Sequence, residues 1–374
     1  MKKIKVGVIG AGGIAQFGHI PSYQAMPGVE VTAVSDPNRK KLSDVQEKFS
    51  IGKAFTDYEE LLTNEDLDAV SICTPNYLHA PIALAALRCG RHVLCEKPFA
   101  VNASEVEEVI KEAGKSGKLL LENLSLRYDL THRIIQKFVQ EGKLGHVYYA
   151  KCSYLRRKGH PGIGGWFTSK KESGGGCLID IGIHVLDLAL CSLGQPKPVS
   201  VTASTYDYLI PRATDGGWPP DSTRISDNFE KKVDIEDLAT AFIRFDNGST
   251  LLLEAGWAGY SEVGVKVSLF GTEAGVELVK SVGGIDEHRP LKFTIYEEHD
   301  GRIYEVNPVT PDTYSYWEDT FPFFIQHFIA CIRGEEKPGI TGDEILLRQK
   351  IIDAIYLSAE TGTTVDFKPS GRMK

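Results

Sequence analysis

The chain has 374 residues, a length that at roughly 150 residues per domain suits two domains. Hydrophobic residues make up 42% and charged residues 25%, a composition typical of a globular chain able to bury a core. Lys+Arg 42 against Asp+Glu 50 leave a net charge of −8, which gives no general attraction to nucleic acid or to an anionic membrane surface, so neither is expected as a partner.

The opening MKKIKVGVIG does not read as a signal peptide, because its apolar stretch breaks at Gly7 and Gly10. No run approaches the ~20 apolar residues of a membrane helix. The seven cysteines are odd in number, widely spaced and free of any C-x-x-C, which disfavours a disulfide framework and a cysteine zinc site. A reducing, cytoplasmic location is expected.

In chain order, short apolar runs at Lys5–Ile9, Val29–Ser35, Ala69–Cys73, His92–Cys95 and Leu119–Glu122 read as strands. Helical patterns lie between them at Ile14–Ala25, Arg39–Phe49, Ile82–Cys89 and Glu105–Lys115. Asn102 and Ser104 are both N-cap candidates for the last of these, and Ser104 with Glu107 has capping-box spacing. Strand–helix alternation with continuous apolar strands predicts a parallel sheet covered on both faces.

After about residue 123 the pattern changes. A helix over Leu130–Gln140 stops at Gly142. Strands follow at His146–Leu155, Pro198–Tyr206, Leu238–Phe245, Ser249–Ala255 and Val263–Phe270, with a hairpin signal at Asp246-Asn247-Gly248 and a helix over Leu178–Leu193. Helices near Tyr316–Ile332 and Asp343–Glu360 close the chain, and Tyr208–Phe229, rich in Pro, Gly and Asp, reads as a long loop. The expected organisation is an α/β domain over 1–123 and an α+β domain with a mostly antiparallel sheet over 124–374.

Gly10-Ala11-Gly12-Gly13-Ile14-Ala15 fits G-x-G-x-x-A directly after a strand and at the start of a helix. Gly10 permits the tight turn, Gly12 lets the backbone approach a pyrophosphate, and the helix N-terminus offers its free N–H groups to phosphate. Asp36 ends the second strand, where a carboxylate accepts hydrogen bonds from an adenosine ribose, which favours NAD; Arg39 and Lys40 close behind it would favour NADP. The strand ends Cys73-Thr74-Pro75-Asn76 and Cys95-Glu96-Lys97-Pro98 fall where ligands bind in an open parallel sheet. There Lys97, at a strand end before a proline, reads as a functional cation; a surface ion pair with Glu96 is the plainer alternative.

In the second domain Gly174-Gly175-Gly176 precedes a helix on which Asp180 and His184 stand four apart and share one face, with Asp187 three beyond His184. A histidine beside a carboxylate is a proton-transfer pair. A hydrogen-bonded core histidine or two metal ligands are the alternatives, but no third ligand is evident and no metal is expected. The three glycines imply close backbone approach to a ligand or to chain. The basic, Gly-rich segment from Tyr154 to Phe167 carries Arg156 and Trp166, which could hold a hydroxylated or anionic substrate or form only a basic loop.

Four motifs, VGVIGAGGIA, SICTPNYLHA, CEKPFA and GGGCLIDIGIHVLDL, resemble in order and spacing the glucose–fructose oxidoreductase / inositol dehydrogenase / rhizopine-catabolism (Gfo/Idh/MocA) family over essentially the whole chain. Within it, YLRRKGHPGIGGWFT is similar to a subgroup acting on glycosides and anhydrosugars. The resemblance implies a Rossmann domain, then an α+β domain with a large, open, mostly antiparallel sheet, with the active site between them. It implies NAD or NADP and oxidation of a secondary hydroxyl of a sugar, glycoside, anhydrosugar or cyclitol. Lys97 matches a catalytic acid/base or alcohol-orienting lysine, and Asp180 and His184 match the pair whose histidine serves as acid/base. Thr74, Pro75, Asn76, His79 and Glu96 match cofactor contacts, to which Lys97 and Trp166 are added. Arg127, Tyr154 and Arg156 are candidate substrate contacts. An NAD-using, redox-neutral glycosidase, with a tyrosine such as Tyr154 assisting elimination, and a cofactor-sensing regulator on the same fold are the other readings. An antiparallel sheet covered on one side leaves a face to bury, so a homodimer or homotetramer is expected.

Overall fold

The computed structural model describes residues 3–63, 67–161, 163–210, 233–280, 292–308 and 320–367. The chain groups into two compact units: Met1–Asp129 with Asp312–Leu346, and Leu130–Pro311 with Leu347–Lys374.

In the first unit six strands, β1 (Ile4–Ile9), β2 (Val29–Ser35), β3 (Lys53–Phe55), β4 (Ala69–Ile72), β5 (His92–Glu96) and β6 (Leu120–Asn123), form one sheet in the order β3-β2-β1-β4-β5-β6. Every pairing is parallel. This is the dinucleotide-fold order, whose direction reverses between β1 and β4 and opens a crevice at the strands' carboxyl ends. β4 is buried along its whole length, as a strand covered on both faces must be. β3 is short and half-exposed, with no apolar run to announce it in the sequence.

The helix after the glycine turn is not one regular helix over Ile14–Ala25. It opens with a wide i→i+5 turn at Ala15–His19 and continues as α-helix over Ile20–Gln24. The helix Ala103–Ser116 is capped by Asn102, whose side chain accepts from the Glu105 amide, while Glu105 reaches back to the Asn102 side-chain amide; Ser104 lies inside the first turn.

A boundary at residue 123 leaves Asp312–Leu346 with the second domain, whereas the compact grouping returns it to the first unit. The reason is apolar. The helix Phe321–Arg333 buries Phe321, Phe324 and Phe328 completely, each worth roughly 1.5–3 kcal/mol. Phe321 packs where any side chain at Gly18 would stand, and Phe324 meets Tyr128 edge-on at 5.2 Å. Residues 316–319 of the expected helix, and residues 211–229 of the expected loop, lie outside the described residues.

The second unit holds a nine-stranded sheet: β7 (Val147–Leu155), β8 (Pro198–Tyr206), β9 (Leu238–Phe245), β10 (Thr250–Gly256), β11 (Gly264–Gly271), β12 (Ala274–Lys280), β13 (Lys292–His299), β14 (Arg302–Val306) and β15 (Val365–Asp366). Its order is β14-β13-β12-β11-β7-β10-β9-β8-β15, antiparallel except for the parallel β7–β10 pair. β9 and β10 form the expected hairpin, with Gly248 at φ +84°. The buried/half-buried alternation of β10 as far as Ala255 shows one face packed and the other open. On the packed side lies the helical run from Leu178 to Ser192, which opens with a second wide turn at Leu178–Gly182. The stretch Lys170–Ser192 is long and apolar enough to cross a membrane by composition, contrary to the expectation that no such stretch exists, but 78% of its apolar window is buried inside the protein.

Candidate active site

In the first unit the glycine turn is built by its neighbours. Gly10 sits at φ +95°, and a Cβ there would press on the Cys73 carbonyl at the end of β4, so only glycine is accommodated. Beside Gly12 there is open space, Gly13 is exposed and Ile14 half-buried. Asp36 is buried at the end of β2. Its Oδ2 accepts from the Ala11 amide at 3.0 Å and its Oδ1 from the Asn38 amide at 2.9 Å, so the carboxylate also ties the turn to the second strand. Each oxygen keeps a further lone pair for a ribose hydroxyl. Arg39 is exposed, and Lys40 pairs with Asp44 at 2.8 Å. A dinucleotide such as NAD fits this arrangement: open space at Gly12 for phosphate, and a carboxylate at the ribose position.

The β4 and β5 ends are braced against each other. His79 is buried, with Nδ1 2.6 Å from the Pro98 carbonyl and Nε2 2.8 Å from the Thr74 carbonyl. Burial holds its pKa below the ordinary histidine value despite those two acceptors. The Thr74 hydroxyl has no hydrogen-bond partner among the described residues; Pro75 precedes a short turn that buries Asn76. Glu96 is buried and engaged by the protein's own groups. Its Oε1 lies 2.7 Å from His19 Nε2 and 2.6 Å from the Asn123 side-chain amide, which donates to it, and its Oε2 accepts from the Lys97 amide. His19 Nδ1 meets Ser71, which meets Tyr23. Burial would raise the Glu96 pKa, but the His19 hydrogen bond and charge, the Lys97 charge and the Asn123 bond together hold it below the usual carboxylate range. From Val93 to Ala100, Lys97 alone is not buried.

Arg127 is buried and donates to the Gly339 carbonyl at 2.7 Å and to Glu344 at 3.3 Å. Its guanidinium therefore clamps the Asp312–Leu346 segment within the first unit.

In the second unit the same exposure pattern recurs. Every residue from Gly175 to Leu190 is buried except Asp180 and His184. Asp180 Oδ2 accepts from the indole of Trp257 at 2.9 Å, and Trp257 itself is fully buried at the end of β10. Arg156 lies close to Asp180 and donates to the Tyr154 hydroxyl at 2.8 Å. Burial disfavours its charge, Tyr154 and Asp180 favour it, and the guanidinium is held above its usual pKa. The structure thus brings Tyr154, Arg156 and Asp180 together. Trp166 is half-buried and packs tilted against Phe167, ring centroids 4.1 Å apart, with Phe167 edge-on to Trp257. Asp187 faces Arg348, 2.6 Å away and equally buried.

The three glycines admit chain. A Cβ on Gly175 would collide with the Tyr356 hydroxyl, and one on Gly176 with the Glu236 carbonyl. Sequence reasoning missed His19, Asn123, Glu236, Trp257 and Tyr356. The only local signal was the acidic pair Glu236-Asp237 directly before β9. Among the described residues no group of three His, Cys, Asp or Glu could hold a metal ion, and all seven cysteines are free.

Residues 4–124 match the family model described as the GFO_IDH_MocA oxidoreductase family, NAD-binding Rossmann fold, and residues 136–367 match that family's C-terminal alpha/beta domain. The chain belongs to the Gfo/Idh/MocA oxidoreductase family. Among its relatives, D-glucoside 3-dehydrogenase of Escherichia coli (strain K12) is 31% identical over 370 residues, 97% of each chain. Levoglucosan dehydrogenase of Pseudarthrobacter phenanthrenivorans is 30% identical over 267 residues, 68% of each chain. The solved structure of a levoglucosan dehydrogenase in complex with NADH shares the fold, with TM-score 0.82 at 22% identity over 98% of this chain and 99% of that one. The order of the parallel sheet and the open antiparallel sheet are therefore those of the Gfo/Idh/MocA fold.

Proposed function

We propose that this Gfo/Idh/MocA chain is an NAD-dependent dehydrogenase that oxidises a secondary hydroxyl of a sugar, glycoside, anhydrosugar or cyclitol. The observation that carries the reading is the paired exposure of Asp180 and His184, the two openings in an otherwise buried helical run. Bound NAD supplies the acceptor for the hydride that the alcohol carbon gives up. The chain's own residues handle the proton and the charge. The His184 imidazole takes the hydroxyl proton, and the Asp180 carboxylate, oriented by Trp257, favours the imidazolium. Lys97 donates a hydrogen bond to the oxygen on which negative charge develops. Gly10, Gly12, Gly13 and Ile14 face the phosphates, and Asp36 takes the ribose and selects NAD over NADP. Tyr154 and Arg156 lie beside Asp180 and hold substrate hydroxyls.

The relatives named as glucoside and levoglucosan dehydrogenases support a pyranose-like substrate. Tyr148, Phe270, Tyr304 and Val306 are exposed on the second unit's sheet, which supports a homodimer or homotetramer through that sheet; light scattering at the monomer mass would refute it. Seven cysteines, odd in number and without a C-x-x-C, support a reducing, cytoplasmic location. The test is product analysis with a panel of glycosides, anhydrosugars and inositols, run with NAD and NADP separately. A keto-sugar formed in step with reduced NAD supports the reading. Cleaved glycoside with no net reduction of cofactor replaces it with the redox-neutral glycosidase.

A further inference from the structure

The helix that carries Asp180 and His184 begins without a cap of its own: Cys177 stands at the N-cap with no side-chain capping bond, its thiol donating instead to the Ala255 carbonyl at 3.2 Å. An uncapped, buried helix start leaves N–H groups that are costly to bury if unpaired. Here distant residues satisfy them. The Gly176 amide donates to Glu236 Oε2 at 2.9 Å and the Leu178 amide to Glu236 Oε1 at 3.0 Å. The Cys177 amide donates to the Glu236 main-chain carbonyl at 3.2 Å. The Ile179 amide bonds to the Tyr356 hydroxyl, which itself donates to Glu236 Oε1 at 3.0 Å. Four consecutive amides, 176 to 179, are thus held by two side chains and one carbonyl. The next amide, that of Asp180, donates to the Gly176 carbonyl and starts the helix proper.

The cradle is built for this contact. Any side chain at Gly175 or Gly176 would displace Tyr356 or Glu236. A carboxylate suits the place, because its oxygens receive donors from the chain and the helix start carries partial positive charge. The segment that follows Glu236 is fixed too: the Trp257 amide donates to the Asp237 carbonyl at 2.9 Å, and the Trp257 indole holds Asp180. The backbone clamp and the side-chain clamp on Asp180 therefore share one anchor.

The geometry points to Glu236, with Tyr356, as a positioning residue that sets the first turn of this helix and so aims Asp180 and His184. This rests on the dehydrogenase reading above for its kinetic arm and on the structure alone for its exchange arm. Glu236→Gln keeps size and shape but turns an NH₂ group towards a backbone N–H. Tyr356→Phe removes only the hydroxyl.

Hydrogen–deuterium exchange on the full chain, read on a peptide spanning residues 174–182, comes first. Glu236→Gln speeds its exchange about tenfold, on the scale of one lost hydrogen bond, while peptides of β1 to β6 keep their rates. With a substrate that the wild type turns over, Glu236→Gln lowers kcat by about tenfold to a hundredfold. KM and the Kd for NAD stay within about twofold, and Tyr356→Phe lies between the variant and the wild type. Unchanged exchange at 174–182 in both variants overturns the clamp. Faster exchange with an unchanged kcat, or a kcat loss matched by equal loss of folded protein in both variants, overturns the positioning role. A wild type inactive across the polyol panel defeats the dehydrogenase reading, and the exchange result still decides the clamp.

Discussion

Glu96 and Glu236 are both buried glutamates beside proposed catalytic groups, and their environments push them in opposite directions. Glu96 in the first unit has charge within reach, His19 at 2.7 Å and the Lys97 side chain, and is held below the usual carboxylate range. Glu236 in the second unit receives backbone amides and a tyrosine hydroxyl, all neutral, and burial raises it despite them. At Glu236 the hydrogen bonds lower the pKa but do not outweigh desolvation; at Glu96 the His19 hydrogen bond and charge, with the Lys97 charge and the Asn123 bond, do. The first unit thus sets an electrostatic centre behind Lys97, and the second a mechanical brace behind Asp180 and His184.

The largest effect expected from this contrast is on turnover. Lys97→Ala and His184→Ala should each lower kcat by ~10²–10⁴-fold, the range for a positioned acid/base group. The Kd for NAD, measured by titration calorimetry, should change only a few-fold. A parallel loss of NAD binding in Lys97→Ala would move that residue from chemistry to cofactor holding.

Stability should separate the two glutamates next. His19→Ala takes from the buried Glu96 the histidine 2.7 Å away, leaving it the Asn123 amide and the Lys97 charge, and should cost ~3 kcal/mol, the upper end for a hydrogen bond to a charged group. Glu236→Gln breaks hydrogen bonds without stranding an ion and should cost ~1–3 kcal/mol. Denaturant melts of the two variants check the order; equal costs would erase the distinction.

Acid should then act with opposite sign. The Glu96 pKa is depressed in the fold, so its contribution is present above the unfolded value of about 4.5 and is lost as pH falls through the lower folded value. The Glu236 pKa is raised, so its charge costs stability as pH climbs from about 4.5 through the higher folded value. Glu236→Gln should therefore flatten the stability profile above about 4.5 and Glu96→Gln below it, read as denaturant midpoints against pH. The smallest expected effect is that of Trp257→Phe, which removes the indole donor to Asp180. It should lower kcat about fivefold, a scale of ~1 kcal/mol, with KM little changed.

What could be read in advance divides along the same line. The glycine turn, Asp36, Lys97 and the Asp180/His184 spacing lie in contiguous motifs whose chemistry is local, so the chain order exposes them. The partners that hold them do not. His19 lies 77 positions from Glu96, Glu236 is 58 from Leu178, and Arg348 is 161 from Asp187. Each is an ordinary polar residue until the fold brings it in. The triple glycine signalled close approach, but whether to ligand or chain depended on Tyr356 and Glu236. Of the unread strands β12 to β14, β14 is exposed along its whole length and has no apolar alternation to announce it, whereas β12 does alternate, burying Ala274, Val276 and Leu278. The return of Asp312–Leu346 to the first unit was hidden for a related reason: apolar spacing shows that Phe321, Phe324 and Phe328 are buried, not which core receives them.

The most direct test of the central claim is the appearance of reduced-nicotinamide absorbance when wild type, Lys97→Ala and His184→Ala are mixed in parallel with NAD and each member of the glycoside, anhydrosugar and inositol panel. A rising signal is expected with at least one polyol in the wild type, and a rate lower by about a hundredfold or more in both variants. A wild type that binds NAD and stays silent on every polyol, or a His184→Ala variant as fast as the wild type, would contradict it.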